Sequence, residues 1–366
     1  MLQGIKIVEI CGIGPGPFSA MHLADLGAEV IAIERDAGGV SRANLLNRGK
    51  RSVIANLKSA AGRELVLRLV EDADALIEGM RPGVMERLGL GPQECQERNP
   101  RLVYGRMTGW GQTGPLSKVA GHDNNYASLS GALFHNGAPE APPSSAFATL
   151  GDIGGGALYM TIGLLSGILN ARATGKGSMV DAAIVDGSAH MLQLMLSTRN
   201  LGYVNDERGQ NIHDSSPFYA TYRCADGGFI TLGSIEPQFY ALLLEKLGLQ
   251  GDRRFVWQWD RRYWKEQHQH FTELFASRTR GHWCELFEGS DACFAPVLAP
   301  NEAARHPHNT ARGTWFERDG LLQTAVAPRF NGEVVTPGKI PAPGEHTEQI
   351  MGALDSPARG PVWQSA

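Results

Sequence analysis

The first 34 residues alternate strand, helix and strand, which restricts the chain to a small set of folds. Residues 5–10 are predicted as a strand, 18–26 as a helix and 29–34 as a second strand. Such a unit predicts parallel strands, because the helix returns the chain to the same end of the sheet. Further strands are predicted at 51–55, 75–78, 102–106 and 178–183, and helices at 62–70, 84–88 and 186–201. We therefore expect an α/β fold built on a parallel sheet.

The loop after the first strand has glycines at 12, 14 and 16, and Glu34 ends the second strand. A dinucleotide-binding site has a similar pattern. Here, however, Pro17 replaces the third glycine and removes the close helix–strand approach, and Arg35 follows Glu34 directly. An NAD-dependent oxidoreductase is therefore a weaker alternative, which nicotinamide-dependent absorbance would test.

Composition excludes several classes of protein. With 366 residues, 42% hydrophobic and 20% charged, the chain predicts two domains, or one large domain with an insertion, and a substantial core. Its net charge of −4 gives no reason to expect nucleic acid or an anionic membrane as partner. Five cysteines without a CxxC pair predict neither a disulfide framework nor a metal site, and favour a reducing, cytoplasmic location. Residues 153–171 are long enough to span a membrane but only weakly apolar, so we do not expect a membrane helix.

A buried helix is predicted at 153–171, because no charged residue interrupts it and apolar residues recur at helical spacing: Leu158, Ile162, Leu165 and Leu169. Asp152 would stand at its N-terminus, where backbone N–H groups and the helix dipole favour a carboxylate or an oxyanion. An ordinary N-cap is the alternative role. The run Gly154–Gly156 lowers helix propensity by about 1 kcal/mol per glycine. It indicates that something comes close to the backbone.

A second helix is predicted to begin at His122, with Tyr126, Leu129 and Leu133 on one face. A lone histidine at a helix start is more often structural than catalytic. Glu236 adds weight to it, because this residue lies between a strand-like run at 229–232 and Pro237, which is typical of a helix start. A carboxylate can orient an imidazole and raise its basicity. His122, Asp152 and Glu236 are therefore the candidate catalytic residues.

Basic residues gather on the loops between the predicted strands: Arg35, Arg48, Lys50, Arg51, Lys58, Arg81 and Arg87. A solvated surface is the commoner explanation for such a cluster. At one edge of a parallel sheet, the same cations would suit a ligand that carries phosphates. Both interpretations stay open.

Several motifs along the chain resemble those of a known family: Gly-Pro-Gly-Pro-Phe at 14–18, Arg-Gly-Lys-Arg-Ser at 48–52, Arg-Pro-Gly-Val-Met-Glu-Arg-Leu-Gly at 81–89, Gly-His-Asp-x-Asn-Tyr at 121–126, Ile-Glu-Pro-Gln-Phe-Tyr at 235–240 and Gly-Glu-His-Thr-Glu at 344–348. The chain is similar to the CaiB/BaiF group, the class III CoA transferases, and within that group to the α-methylacyl-CoA racemases. The motifs at 121–126 and 235–240 are the ones that indicate racemases.

This resemblance implies a large Rossmann-like CoA-binding domain at 1–202, completed by the tail 311–366, then a linker at 203–216 and a small α+β domain at 217–310. It also implies an interlocked homodimer, in which Glu236 approaches His122 from the other chain. No separate cofactor and no metal are expected, because CoA is part of the substrate. The implied CoA- and substrate-binding residues are Arg35, Ile54, Ala55, Asn56, Leu57, Lys58, Arg81, Arg87, Gly121, Asp123, Asn124, Asn125 and Tyr126.

The implied reaction inverts the α-carbon of a 2-methylacyl-CoA. His122 and Asp152 would act as base and acid on opposite faces, and the Asp152 backbone N–H would receive the enolate oxygen. The chain departs from the racemase pattern at Ala148, where an asparagine is common, and at Asn56, where an aspartate is usual. Two alternatives are a CoA transferase with Asp152 as nucleophile and a catalytically silent CoA-binding protein.

Overall fold

The computed structural model describes residues 1–35, 43–356 and 361–364. The chain divides into two compact units. Unit 1 comprises residues 1–132, 145–192 and 311–366, and unit 2 comprises residues 133–144 and 193–310. The division differs from the predicted boundaries, since residues 193–202 and 133–144 cluster with the second unit.

Unit 1 is built on a six-stranded parallel sheet with the strand order β3-β2-β1-β4-β5-β6. The predicted α/β class and parallel sheet are confirmed. Its elements up to residue 191 are β1 (Lys6–Ile10), α1 (Pro15–Asp25), β2 (Glu29–Glu34), β3 (Arg51–Ile54), α2 (Ala60–Val70), β4 (Ala75–Glu78), α3 (Val84–Arg87), α4 (Pro92–Arg98), β5 (Val103–Thr108), α5 (Asp123–Leu129), a π-helical segment (Thr149–Ala157) that continues as α6 (Leu158–Thr174), β6 (Ser178–Ala183) and α7 (Ile184–Met191).

Both faces of this sheet are covered, as expected for parallel strands with nearly continuous apolar runs. One core cluster includes Val8, Ile31 and Leu69, and the other includes Ile7, Met107 and Leu164. The last helix of the chain, α15 (Thr347–Asp355), packs into the first cluster through Ile350.

Unit 2 contains α8 (Gln193–Asn200), α9 (Ile212–Ser215), β7 (Thr221–Arg223), β8 (Phe229–Leu232), α10 (Pro237–Lys246), α11 (Arg261–Ala276), α12 (Arg280–Phe287), β9 (Phe294–Val297), α13 (Pro300–Ala303) and the start of α14 (Pro307–Arg312). Strands β7, β8 and β9 form an antiparallel sheet over a core rich in aromatic residues. The predicted linker at 203–216 is partly buried, and the Asp214 carboxylate accepts the backbone N–H groups of Gly209 and Asn211, both at 2.9 Å. Unit 1 resumes with a hairpin of β10 (Trp315–Arg318) and β11 (Leu321–Thr324).

The long helix at residues 149–174 buries a different face from the predicted one. Met160, Leu164 and Ile168 are buried, whereas Ile162 is 60% and Leu169 69% exposed. The spacing of the four predicted residues was helical, but small residues such as Gly167 allow the opposite face to pack closely on the sheet. Length and composition would also let this helix cross a membrane. Its buried face lies in the unit 1 core, as in a core helix of a globular protein.

Candidate active site

The candidate site lies at the carboxyl ends of the parallel strands. Strands β1 and β4 are neighbours in the middle of the sheet, and the strand order runs outward from them in both directions. Loops diverge at such a switch point and leave a crevice in which ligands of open α/β sheets bind. The loop after β1 contains Gly14, the loop after β4 contains Arg81, and the loop after β5 leads to His122.

Asp152 lies in the first turn of the π-helical segment. The N-cap of that segment is Ala148, in the left-handed conformation with φ +46°, so the alternative of Asp152 as N-cap is wrong. The carboxylate faces the loop after β1, because a Cβ on Gly14 would stand 3.3 Å from Asp152 Oδ2. Gly14 has φ +72° and precedes the Pro15 that begins α1, so glycine provides both the turn and the space.

The glycine run after Asp152 is explained by α7. A Cβ on Gly155 would stand 2.6 Å from the backbone nitrogen of Ser188 and 2.8 Å from the carbonyl oxygen of Ile184. A Cβ on Gly187 of α7 would collide with the carbonyl oxygen of Gly155. The prediction that something comes close to this backbone is confirmed, and the neighbour is a helix of the same unit.

His122 lies at the start of α5. It caps the N-terminus of α5, where its backbone N–H donates to Asn125 Oδ1 at 3.1 Å, and its side chain is exposed. The pKa of Asp152 is raised, first by burial and then by the negative charge of Asp123, while His122 lowers it. The two residues predicted to meet are therefore near enough to interact electrostatically.

Asp123 contacts Asp152 directly. Its Oδ1 accepts the backbone N–H of Asp152 at 2.7 Å, and its Oδ2 accepts the Ser145 hydroxyl at 3.4 Å. We expected that N–H to receive an enolate oxygen. In this structure the Asp123 carboxylate accepts the Asp152 N–H instead. Asp123 is the first residue of α5, and its side chain reaches the start of the π-helical segment. No sequence pattern indicated the contact.

Tyr126 supports the loop that carries His122. Its hydroxyl donates to the carbonyl of Gly121, and its ring packs edge-on against Trp110 with the centroids 4.7 Å apart. A side chain on Gly109 would collide with that ring. The pKa of Tyr126 is raised overall, by burial and by the charge of Asp152, and the charge of Arg81 partly opposes this rise. Arg81, on the loop after β4, thus belongs to the same electrostatic environment.

Glu236 belongs to unit 2. It follows β8 and caps α10, whose first residue is Pro237, so the predicted local structure is confirmed. Its side chain is exposed. The pKa of the nearby Cys293 thiol is raised by burial and by the charge of Glu236.

The residues predicted to bind CoA follow neighbouring strands at the same sheet edge. Arg35 follows β2, residues 55–58 follow Ile54, the last residue of β3, and both Arg35 and Lys58 are exposed. Asn56 Oδ1 accepts the Lys58 N–H at 3.0 Å, which closes the turn. An aspartate would supply the same acceptor, so the departure at Asn56 leaves the turn intact. Arg87, on α3, is also exposed.

Three of the basic residues that were considered for phosphate binding are structural. Arg48 pairs with Asp25 at 2.6 Å, Lys50 with Glu9 at 2.5 Å and Arg51 with Glu29 at 2.8 Å, all with little exposure. Buried charges require such partners. Both interpretations, a phosphate site and a solvated surface, are therefore wrong for these three residues, because their charges are buried in ion pairs.

Sequence reasoning missed Glu78, which ends β4 beside the Arg81 loop. Its carboxylate accepts the Met80 N–H at 2.6 Å and pairs with Arg106 Nε at 3.1 Å. Burial raises its pKa to about 7, and these bonds oppose the rise. A charged residue at the end of an apolar strand is the signal that could have revealed it.

Unit 2 contains a cavity of about 1170 Å³, lined by residues such as Tyr219, Trp264 and His268. None of the three candidate catalytic residues is among the described residues that line it. Cavity size therefore does not identify the site, and the chemistry of the side chains does.

Fold and site together define an α/β protein in which an aspartate with a raised pKa lies within the electrostatic influence of a histidine, near the switch point of a parallel sheet. CoA-transferase family III matches residues 2–347. The α-methylacyl-CoA racemase of Homo sapiens is 42% identical over 363 residues, which cover 96% of this chain and 92% of that protein. The acetyl-CoA:oxalate CoA-transferase of Acetobacter aceti is 30% identical, over 90% of this chain and 89% of that protein.

Among solved structures, a CaiB/BaiF family protein from Brucella suis superposes with a TM-score of 0.82 at 28% identity, over 97% of this chain and 99% of that one. The chain is an enzyme of CoA-transferase family III, the CaiB/BaiF family.

Proposed function

We propose that this enzyme is an acyl-CoA racemase or epimerase that inverts the α-carbon of a 2-methylacyl-CoA thioester. The observation that carries the proposal is the position of Asp152, in the first turn of the π-helical segment and facing Gly14, where burial and Asp123 raise its pKa and His122 opposes the rise. The 42% identity to a protein named α-methylacyl-CoA racemase supports the same chemistry.

The thioester carbonyl acidifies the neighbouring C–H bond. One residue of the pair removes the α-proton, and the electrons of the broken bond delocalise onto the carbonyl oxygen as an enolate. The other residue, in its protonated form, returns a proton to the opposite face of the carbon. A raised pKa suits Asp152 to this exchange of roles, because it moves the pH at which the carboxyl gains a proton toward neutrality. His122 is base for one enantiomer and acid for the other.

CoA is placed, in this proposal, along the exposed cations of the sheet edge, with Arg35, residues 54–58, Arg81 and Arg87 near its adenine and phosphates. Arginine and lysine there would offer charge-assisted hydrogen bonds to phosphate oxygens. The segment Gly121–Tyr126, including Asn124 and Asn125, would lie near the pantetheine and the thioester.

The proposed assembly is an interlocked homodimer in which Glu236 of one subunit approaches His122 of the other. Exposed apolar residues on α6 support an interface, since Leu158, Ile162 and Leu169 are 38%, 60% and 69% exposed. A stripe of this kind on one helix is the surface expected to be covered in an oligomer. The five cysteines are free thiols, which suits the reducing cytoplasm we propose for the enzyme.

CoA transfer is the second candidate, because a relative at 30% identity is named an acetyl-CoA:oxalate CoA-transferase. Asp152 would then attack the thioester carbonyl, expel CoA thiolate and form a mixed anhydride. That chemistry requires an acceptor carboxylate, whereas racemisation does not.

Deuterium incorporation separates the two functions. The wild-type enzyme is incubated in heavy water with the (R)- and (S)-epimers of a 2-methylacyl-CoA and no acceptor acid. Incorporation at C2 of both epimers, lost in His122→Ala, is the expected result. No incorporation, together with CoA transfer to an added carboxylate, would replace racemisation by transfer.

A further inference from the structure

The contact between Asp123 and Asp152 joins the two helix starts of the candidate site. Asp123 is the first residue of α5, directly after His122, and Asp152 lies in the first turn of the π-helical segment. The 2.7 Å hydrogen bond from the Asp152 N–H to Asp123 Oδ1 is a charge-assisted bond that spans 29 residues of sequence. One carboxylate therefore fixes the distance between the two elements that hold the proposed acid and base.

The packing around this bond leaves it little freedom. A Cβ on Gly151 would stand 2.6 Å from Asp123 Oδ1 and 3.1 Å from the Asp123 carbonyl oxygen. Gly151 is buried, and the second oxygen of Asp123 is held by the Ser145 hydroxyl. The glycine thus makes room for the carboxylate, and the hydroxyl orients it.

The charges around the Asp152 carboxyl can be traced to named groups. Asp123, His122 and Tyr126 face it from α5 and its N-cap. The other elements packed on the segment carry these titratable or charged groups: His22 and Asp25 on α1, Tyr104 and Arg106 on β5, Tyr159 and Arg172 on α6, Asp181 on β6, and Asp186 and His190 on α7. Arg106 is paired with Glu78 and Glu86. Asp25 is paired with Arg48, Asp181 accepts the Gln112 N–H, and His190 bonds to Tyr159. Asp123 is the negative group that acts on the carboxyl most directly.

We propose that Asp123 is a positioning residue for Asp152: its carboxylate holds the Asp152 backbone through the 2.7 Å hydrogen bond and places a negative charge beside the Asp152 side chain. This inference rests on the proposed function, in which Asp152 must both give and take a proton. A neighbouring negative charge makes the ionised form of Asp152 less favourable. It thereby makes Asp152 a stronger base once ionised, and keeps its protonated form available as the acid.

Two substitutions separate the charge from the hydrogen bond. Asp123→Asn removes the charge but keeps an oxygen that can accept the Asp152 N–H. Asp123→Ala removes both. Neither readout below depends on turnover. One is the carboxyl ¹³C titration of Asp152, assigned by its loss in Asp152→Asn, and the other is hydrogen exchange of the backbone at 149–157.

In Asp123→Asn the Asp152 titration is expected to move to lower pH, with backbone protection unchanged. In Asp123→Ala the titration moves in the same direction and protection of the segment is lost. Where α-proton exchange is active, its acidic limb moves to lower pH in Asp123→Asn. Asp123→Ala lowers its rate at least tenfold.

An unchanged Asp152 titration in both variants, with wild-type protection in Asp123→Ala, would overturn the inference. This result is distinct from failure of the proposed function, which appears as absence of α-proton exchange in the wild-type enzyme. The titration of Asp152 can be measured in either case.

Discussion

The close packing of α7 on the π-helical segment predicts a large effect of one added methyl group. Gly155→Ala would place a Cβ 2.6 Å from the Ser188 nitrogen and 2.8 Å from the Ile184 oxygen. Atoms of this size prefer a separation of roughly 3.5 Å, so the two helices must move apart by about 1 Å. Overpacking of this kind costs about 1–3 kcal/mol of folding free energy.

The same displacement acts on Asp152, which lies about one helical turn before Gly155. A 1 Å misplacement of a catalytic group can reduce the rate by a factor of about 100. We expect α-proton exchange to fall by that order, with CoA affinity nearly unchanged because the loops after β2 and β3 are not moved.

Gly154→Ala provides a matched control one residue away. Its Cβ would stand 3.1 Å from Met191 Cε, the end of a flexible side chain, and 3.1 Å from the Thr149 oxygen. A shift of a few tenths of an ångström accommodates it. Exchange kinetics, the urea unfolding midpoint and CoA affinity are measured for both variants. Equal, small effects at both positions would refute the argument that backbone contact with α7 sets the position of Asp152.

Three further predictions concern ion pairs, the site and the proposed interface. Lys50→Met leaves the Glu9 carboxylate buried without its cation, which is expected to cost about 3–5 kcal/mol of stability. Because burial already raises the pKa of Glu9, the loss should grow as pH rises above the value of an unfolded glutamate and shrink at pH 4–5. Unfolding curves at several pH values check this, and a loss independent of pH would contradict it. Asp152→Asn should abolish α-proton exchange yet stabilise the fold at neutral pH, since a raised folded pKa costs wild-type stability as pH rises above the unfolded value. Thermal midpoints should converge near pH 4, and an advantage present only at low pH would be the wrong sign. Ile162→Arg, on the exposed face of α6, should shift a dimer toward monomer in sedimentation velocity. An unchanged sedimentation coefficient would remove α6 from the interface.

The sheet could be predicted because its strands are buried on both faces. Runs such as Glu29–Glu34 and Ala75–Glu78 were placed to the residue, since continuous apolar sequence between polar turns leaves few alternatives. The start of α1 was placed too late. Pro15 begins that helix because a proline is well suited to the first helical position after a left-handed Gly14.

Burial along the helix at residues 149–174 could not be predicted from periodicity. Its apolar residues cover more than one face, so helical spacing alone did not distinguish the face toward the sheet from the exposed one. Only the packing of Gly167 against Val103 and of Met160 near Gly105 settles the orientation.

The positions of His122 and Asp152 at helix starts could be predicted from the sequence, but the contacts that hold these residues could not. The contact of Asp123 with the Asp152 N–H joins two helix starts that are 29 residues apart in the sequence, and it forms only when the chain between them folds back. The ion pairs of Lys50 and Arg51 likewise depend on partners 41 and 22 residues away. A single sequence does not encode such pairings in any local pattern.

The most direct test of the central claim, that two residues act on opposite faces of the α-carbon, is the isotope content of product and substrate at early times. A single epimer of a 2-methylacyl-CoA is incubated in heavy water with wild-type enzyme, and the two epimers are separated and analysed by mass spectrometry. With His122 and Asp152 on opposite faces, the inverted product should carry one deuterium while the recovered substrate stays almost unlabelled. Equal labelling of both epimers would indicate one residue acting on both faces, and would contradict the account.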